Sequence, residues 1–179
     1  MKYRLGQKQI KSLILVMTSF CLIASCASTN TIRTTTYSLE MKEINGIKNY
    51  KNGHYEKAFN LLKEPAAWGY KGSQYAIAFM FLKGQYVEQS TLLGMGWLGV
   101  AEEANVKEWT EQYDAFYSLA SDLEKLKFDK ITDVYIERYG LAAQNVTCAK
   151  SATTRSRRVS VSCHKYDGIG VLYDIDMVE

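Results

Sequence analysis

Between Ser38 and Leu141 apolar side chains recur every three or four positions, the period of a helix that buries one face. Ser38 is the expected N-cap of the first helix, with Glu40 and Glu43 early, where the helix dipole favours negative charge. Trp109, Tyr113, Phe116, Leu119 and Leu123 place one amphipathic helix from Val106 to Leu126. Ile131, Val134, Tyr135, Arg138 and Tyr139 place another from Lys130 to about Leu141, with Gly140 near its C-cap. The rhythm then changes. Val146-Thr147-Cys148, Val159-Ser160-Val161-Ser162-Cys163 and the run from Ile169 to Asp176 are short, β-branched and partly alternating, which predicts a small β-region.

The middle of the chain repeats itself. Tyr50-Lys51-Asn52-Gly53 matches Phe81-Leu82-Lys83-Gly84, each with a glycine that ends a helix, and Ala58, Leu61 and Leu62 correspond to Gly94, Trp97 and Leu98. A small residue followed by a bulky pair one turn later lets two antiparallel helices approach and fills the gap beside them. Gly53-His54-Tyr55-Glu56-Lys57-Ala58-Phe59 resembles the second-helix start of tetratricopeptide repeats, and Ser73 through Gln89 resembles a Sel-one-like repeat. The resemblance covers roughly residues 40 to 128. It implies a short solenoid of helix pairs whose first helices line a concave binding face. The chain departs from it at Tyr86, where the family usually has glycine, at Ser90, where it favours aspartate, and at Gly94, Gly96 and Gly99, which soften a helix by about 1 kcal/mol each relative to alanine where exposed.

The N-terminus has a different character. Lys2, Arg4, Lys8 and Lys11 precede an apolar run from Leu13 to Ile23, and Ile23-Ala24-Ser25-Cys26 closes it with small residues and a cysteine. The run is short for a membrane span, and the whole pattern resembles the leader and lipobox of bacterial lipoprotein precursors. The alternative is an uncleaved anchor helix with a chance cysteine. The resemblance implies lipid on Cys26 and cleavage before it. Ala27 follows rather than aspartate, which by the same likeness directs the protein to the outer membrane. The Ser/Thr-rich residues to Tyr37 then form a tether. Loss of the leader changes the charge: the formal +3 of the full chain becomes 18 Lys and Arg against 19 Asp and Glu, too balanced for a nucleic-acid stripe. It also leaves Cys148 and Cys163 as the two thiols of an exported chain, which are expected to pair and close a loop worth about 3 kcal/mol.

Few residues carry candidate chemistry. Gly94-Met95-Gly96-Trp97-Leu98-Gly99 satisfies G-x-G-x-x-G literally, yet it lies inside a helix rather than between strand and helix, so close helix packing is the reading and no cofactor is expected. His54 and His164 have no partners at metal spacing. Cys163 and His164 are adjacent in a strand and so point to opposite faces. Glu102-Glu103 reads as a solvated helix surface. Lys150, Arg155, Arg157 and Arg158 make the segment between the cysteines basic, either a soluble hairpin tip or a surface for anionic groups of the envelope. Tyr75, Phe79 and Leu82, with Tyr113 and Tyr117 in a later helix, form an aromatic stripe that is either core or the wall of a peptide groove.

The expected architecture is therefore mainly α: a leader (1–25), a lipid-anchored tether (26–37), a short antiparallel helical-repeat solenoid (38–141) and a disulfide-pinned β-region (142–179). The expected function is a non-enzymatic scaffold of the cell envelope, held at the outer membrane and binding a protein or peptide through its repeats. The alternative is a module for peptidoglycan or lipopolysaccharide that uses the basic loop. An enzyme of cell-wall metabolism is disfavoured because no nucleophile, base and orienting residue converge in the sequence.

Overall fold

Six helices followed by a two-stranded hairpin make up a computed structural model that describes residues 35–152, 159–166 and 172–177. The helices are α1 (Thr36–Lys51), α2 (Tyr55–Ala67), α3 (Lys71–Lys83), α4 (Thr91–Glu102), α5 (Lys107–Leu119) and α6 (Asp122–Tyr139). The strands are β1 (Val146–Ala152) and β2 (Val159–Lys165). Cys26, Arg155, Arg157 and Arg158 lie outside the described residues.

Local chemistry explains the boundaries. The cap of α1 is Thr35, whose hydroxyl accepts from the Ser38 N–H at 3.3 Å, so the helix starts before the expected Ser38 and Ser38 acts as donor. Gly53 (φ 77°) and Gly84 (φ 63°) take the left-handed conformation that lets the chain leave α1 and α3, as their place in the repeat implied. Tyr86, which stands where the resembled family usually has glycine, also has a left-handed backbone (φ 73°). Its ring recovers contact by packing 5.7 Å from Phe59.

The expected single helix from Val106 to Leu126 is two helices. Ser121 accepts from the Glu124 N–H while Glu124 accepts from the Ser121 N–H at 2.8 Å, a complete capping box that ends one helix and starts the next. Two leucines of the expected buried stripe consequently sit on the corner in water, Leu119 and Leu123 being 87% and 65% exposed, as does Leu126 at the expected helix end, 67% exposed.

Consecutive helices pack closely in two antiparallel pairs, α1/α2 and α3/α4, while α6 packs on α4 rather than on α5. In α1/α2, Tyr50 meets Tyr55 beside the turn and Lys42 pairs with Glu64 at the far end. In α3/α4, Leu82 lies against Gly94 near the turn and Lys71 reaches Val100 and Glu103 at the other end. In α5/α6, Tyr117 donates to Asp129 at 3.0 Å. Helix α4 is the centre of the core: Met95, Trp97, Leu98, Val100 and Ala101 are all fully buried. Its glycines permit this. A Cβ on Gly94 would stand 2.6 Å from Leu82, one on Gly96 2.9 Å from Ile131, and one on Gly99 2.6 Å from Thr132, so α3 and α6 pack where side chains would otherwise be.

The hairpin pairs Val146 with Lys165, Cys148 with Cys163 and Lys150 with Val161, and the cysteines are joined as expected. Residues 172–177 are not a third strand. They lie across α6 as an irregular strap: the Tyr139 hydroxyl donates to the Asp174 carbonyl at 2.7 Å, Asp176 faces Arg138 at 3.5 Å, and Leu172 packs beside Leu39, Trp68 and Tyr70. Among the described residues no helix is long and apolar enough to cross a membrane.

Candidate functional site

Helices α1, α3 and α5 bring their cleft-lining residues to one hollow of about 840 Å³, closed on another side by the hairpin. Glu43 and Ile47 come from α1, Lys71 and Gly72 from the first turn of α3, and Val106 to Trp109 from the start of α5. The period-two alternation of a strand selects the hairpin's contribution: Val146 and Lys150 of β1 and Val161, Cys163 and Lys165 of β2 share one face, which lines the cleft. Thr147, Ala149 and His164 point the other way and are exposed.

Two carboxylates hold the helical wall in place. The cap residue of α3, Tyr70, offers its helix no side-chain bond. Glu43 serves instead, accepting the Ser73 N–H at 2.8 Å and the Ser73 hydroxyl at 3.2 Å. Gly72 makes room for it, since a Cβ there would lie 2.9 Å from the Glu43 carboxylate. Burial raises the Glu43 pKa, and the bonds from Ser73 only partly offset this. The second carboxylate is Glu103, which takes Lys71 at 2.7 Å and the Leu141 N–H at 3.0 Å. Lys71 also donates to the Val100 carbonyl at 2.8 Å. Its ammonium is buried, and desolvation lowers its pKa against the pull of Glu103. Glu102-Glu103 is thus not the solvated surface expected. Glu103 anchors a buried lysine, and burial also raises the pKa of Glu102, opposed by a hydrogen bond with Thr110.

The aromatic stripe is half-buried and mostly satisfied from within. Tyr75 of α3 stacks on Trp109 of α5 with ring centres 4.6 Å apart, and Phe79 meets Phe116 at 6.4 Å. Tyr113 stacks on Tyr117 at 5.6 Å, and the four aromatic residues of the stripe pack against the main core, of which its fifth residue, Leu82, is a buried member. Only the end of this seam reaches the cleft, through Trp109, a residue that the helical rhythm identified without marking it as a site. Of the basic loop, Lys150 is exposed and lines the cleft.

Three of the chemically versatile groups in this lining are engaged within the protein. Cys163 is committed to its disulfide, the Glu43 carboxylate to Ser73, and the Lys71 ammonium to Glu103 and Val100. His54 caps α2 and His164 occupies the outer face of β2, both exposed. Among the described residues no three His, Cys, Asp or Glu side chains are grouped to hold a metal ion. The G-x-G-x-x-G run is wholly inside α4, with its glycines against neighbouring helices.

No family model, no curated protein and no solved structure matches this chain.

Proposed function

We propose that the protein is a lipid-anchored, non-catalytic scaffold of the bacterial envelope that binds an extended peptide segment of another protein. The observation that carries this reading is the convergence of α1, α3 and α5, alternate helices along the chain, on one cleft. In helical-repeat solenoids that is the face used for recognition. Here the groove runs from the middle of α1 to the first turns of α3 and α5 and is completed by the hairpin, so Trp109 rather than the Tyr113-Tyr117 pair offers its aromatic surface to a ligand. The lipid anchor rests on the lipobox-like run ending at Cys26.

The test is a selection of random ten-residue peptides on the full chain. Enrichment of peptides that compete with one another, and that no longer bind Trp109→Ala protein of unchanged helical signal, is the expected outcome. Enrichment no better than on an unrelated protein, or binding indifferent to Trp109, overturns the reading.

A further inference from the structure

We infer that the outer face of α1 lies on the lipid surface to which the chain is anchored, with Tyr37, Met41 and Ile44 inserted and Lys48 and Lys51 at headgroup level. This rests on the lipid-anchor reading above and gives the anchored protein a side that it turns to the membrane. Helix α1 has two unlike sides. Its inner side holds the buried Leu39 and Gly46, the Glu43 carboxylate on Ser73 and the Lys42–Glu64 pair. On its outer side Tyr37, Met41 and Ile44 recur at i, i+4 and i+7 and are 70%, 38% and 59% exposed. The same stripe continues to Lys48 and Lys51, which are exposed and form no ion pair among the described residues. Glu40 is the one acid of α1 beside it, and the exposed Glu56 and Lys57 that follow the turn cancel.

An exposed apolar row that ends in lysines is the pattern of a helix lying in a membrane interface. Tyrosine suits that depth, with its ring among acyl chains and its hydroxyl at the headgroups. The place of the stripe in the chain says what covers it. Tyr37 follows Cys26 by eleven residues, and the chain from Cys26 to Thr35 reaches at most roughly 30 Å. So short a tether holds the face near the lipid at about millimolar effective concentration, where weak affinity suffices. Three side chains on one helix face fall short of the roughly 800 Å² per partner of a stable dimer. The leucines of the α5–α6 corner are as exposed, but they stand among Asp122, Glu124, Lys125 and Lys127, charges of both signs. They also lie at the other end of α3: Tyr70 before α3 donates to the Thr36 carbonyl at 3.1 Å, whereas Phe79 near its end meets Phe116 of α5.

Thr31–Glu179 is a compact unit of its own, so the chain from Ala27 onward is tested by cosedimentation with vesicles of phosphatidylethanolamine and phosphatidylglycerol, beside membrane fractionation of the full chain. The shorter chain is expected to bind these vesicles, to lose at least about fivefold in affinity with Ile44→Glu and about as much with Lys48→Glu and Lys51→Glu together, and to be unchanged by Leu123→Glu, all variants melting like the parent. No vesicle binding, or binding that Ile44→Glu leaves intact, overturns the inference. If the full chain still fractionates with membranes, the anchor stands and the face alone is lost. Loss of binding with Leu123→Glu instead moves the contact to the corner and overturns it too. A dimer in sedimentation equilibrium that Ile44→Glu dissociates, with no vesicle binding, gives the face to a second copy. A full chain that stays soluble in fractionation removes the anchor reading and the inference together.

Discussion

Glu43 performs at residue scale what a serine or threonine cap performs in most helices, from a different helix. The first turn of α3 begins at Tyr70, which has no suitable side chain, so its Ser73 N–H is satisfied by a carboxylate of α1. The cost is a partly desolvated acid beside Glu40, and the pKa of Glu43 rises above its ordinary 4.5. The linkage has a definite sign: a raised carboxyl holds its proton longer in the folded than in the unfolded chain. Its contribution to stability is full below the unfolded value and is lost as pH rises through the folded one. Glutamine at this position imitates the protonated acid at every pH. Urea unfolding of the wild type and of Glu43→Gln, followed from pH 4 to pH 7, should show the wild type losing ground to the variant as pH rises. A difference that stays constant, or grows in the wild type's favour, contradicts the assignment. Neither this cap nor the Lys71–Glu103 pair was legible in the sequence. Each joins residues about thirty positions apart, and only the packing of helices brings them together.

At the scale of elements, the sequence was legible wherever one local rule acted alone and failed where two competed. Gly53 and Gly84 end helices as the repeat implied, and the hairpin strands follow their alternation. Around Ser121 the apolar spacing of Phe116, Leu119 and Leu123 predicts one continuous helix, whereas the structure starts a new one there through the reciprocal bonds of Ser121 and Glu124. The capping box won, because two reciprocal bonds at a helix start outweigh leucines that have no partner to bury them. The third strand failed for another reason: residues 172–177 find their partners in the tyrosine and arginine side chains of α6, not in a neighbouring backbone. The glycines of α4 make the competition measurable. Gly99→Ala gains up to about 1 kcal/mol of helix propensity. It also sets a Cβ 2.6 Å from Thr132 on α6, and overpacking of this kind costs about 1–3 kcal/mol. The clash should win, lowering stability by about 1 kcal/mol or more in urea unfolding. Thr132→Ala introduced together with it should recover most of that loss. A more stable single variant would show that α6 yields without cost and that the glycine is not there for close approach.

On the scale of the whole molecule, stability and the site draw on different parts of the chain. The helices bury Trp97, Tyr135 and Tyr139 around α4 without help from the hairpin, whereas one wall of the cleft is the hairpin itself. An isolated two-stranded hairpin is marginal in water. This one is tied by a single cross-strand disulfide and held to the body by contacts such as the buried Val146 and Lys165 over Trp68. Closing that loop is worth about 3 kcal/mol to the hairpin and little to the helices. Reduction followed by alkylation should therefore leave most of the far-ultraviolet helical signal and the main melting transition in place. Protease cleavage should shift to the region after Asn145, and binding of a peptide selected on the full chain should fall even though Trp109, Ile47 and Glu43 are untouched. The paired measurement gives the outcome its force. Loss of helical signal together with binding would mean that the disulfide supports the whole fold. Unchanged binding after complete alkylation would mean that the helical wall alone recognises the peptide, leaving the hairpin no part in its selection.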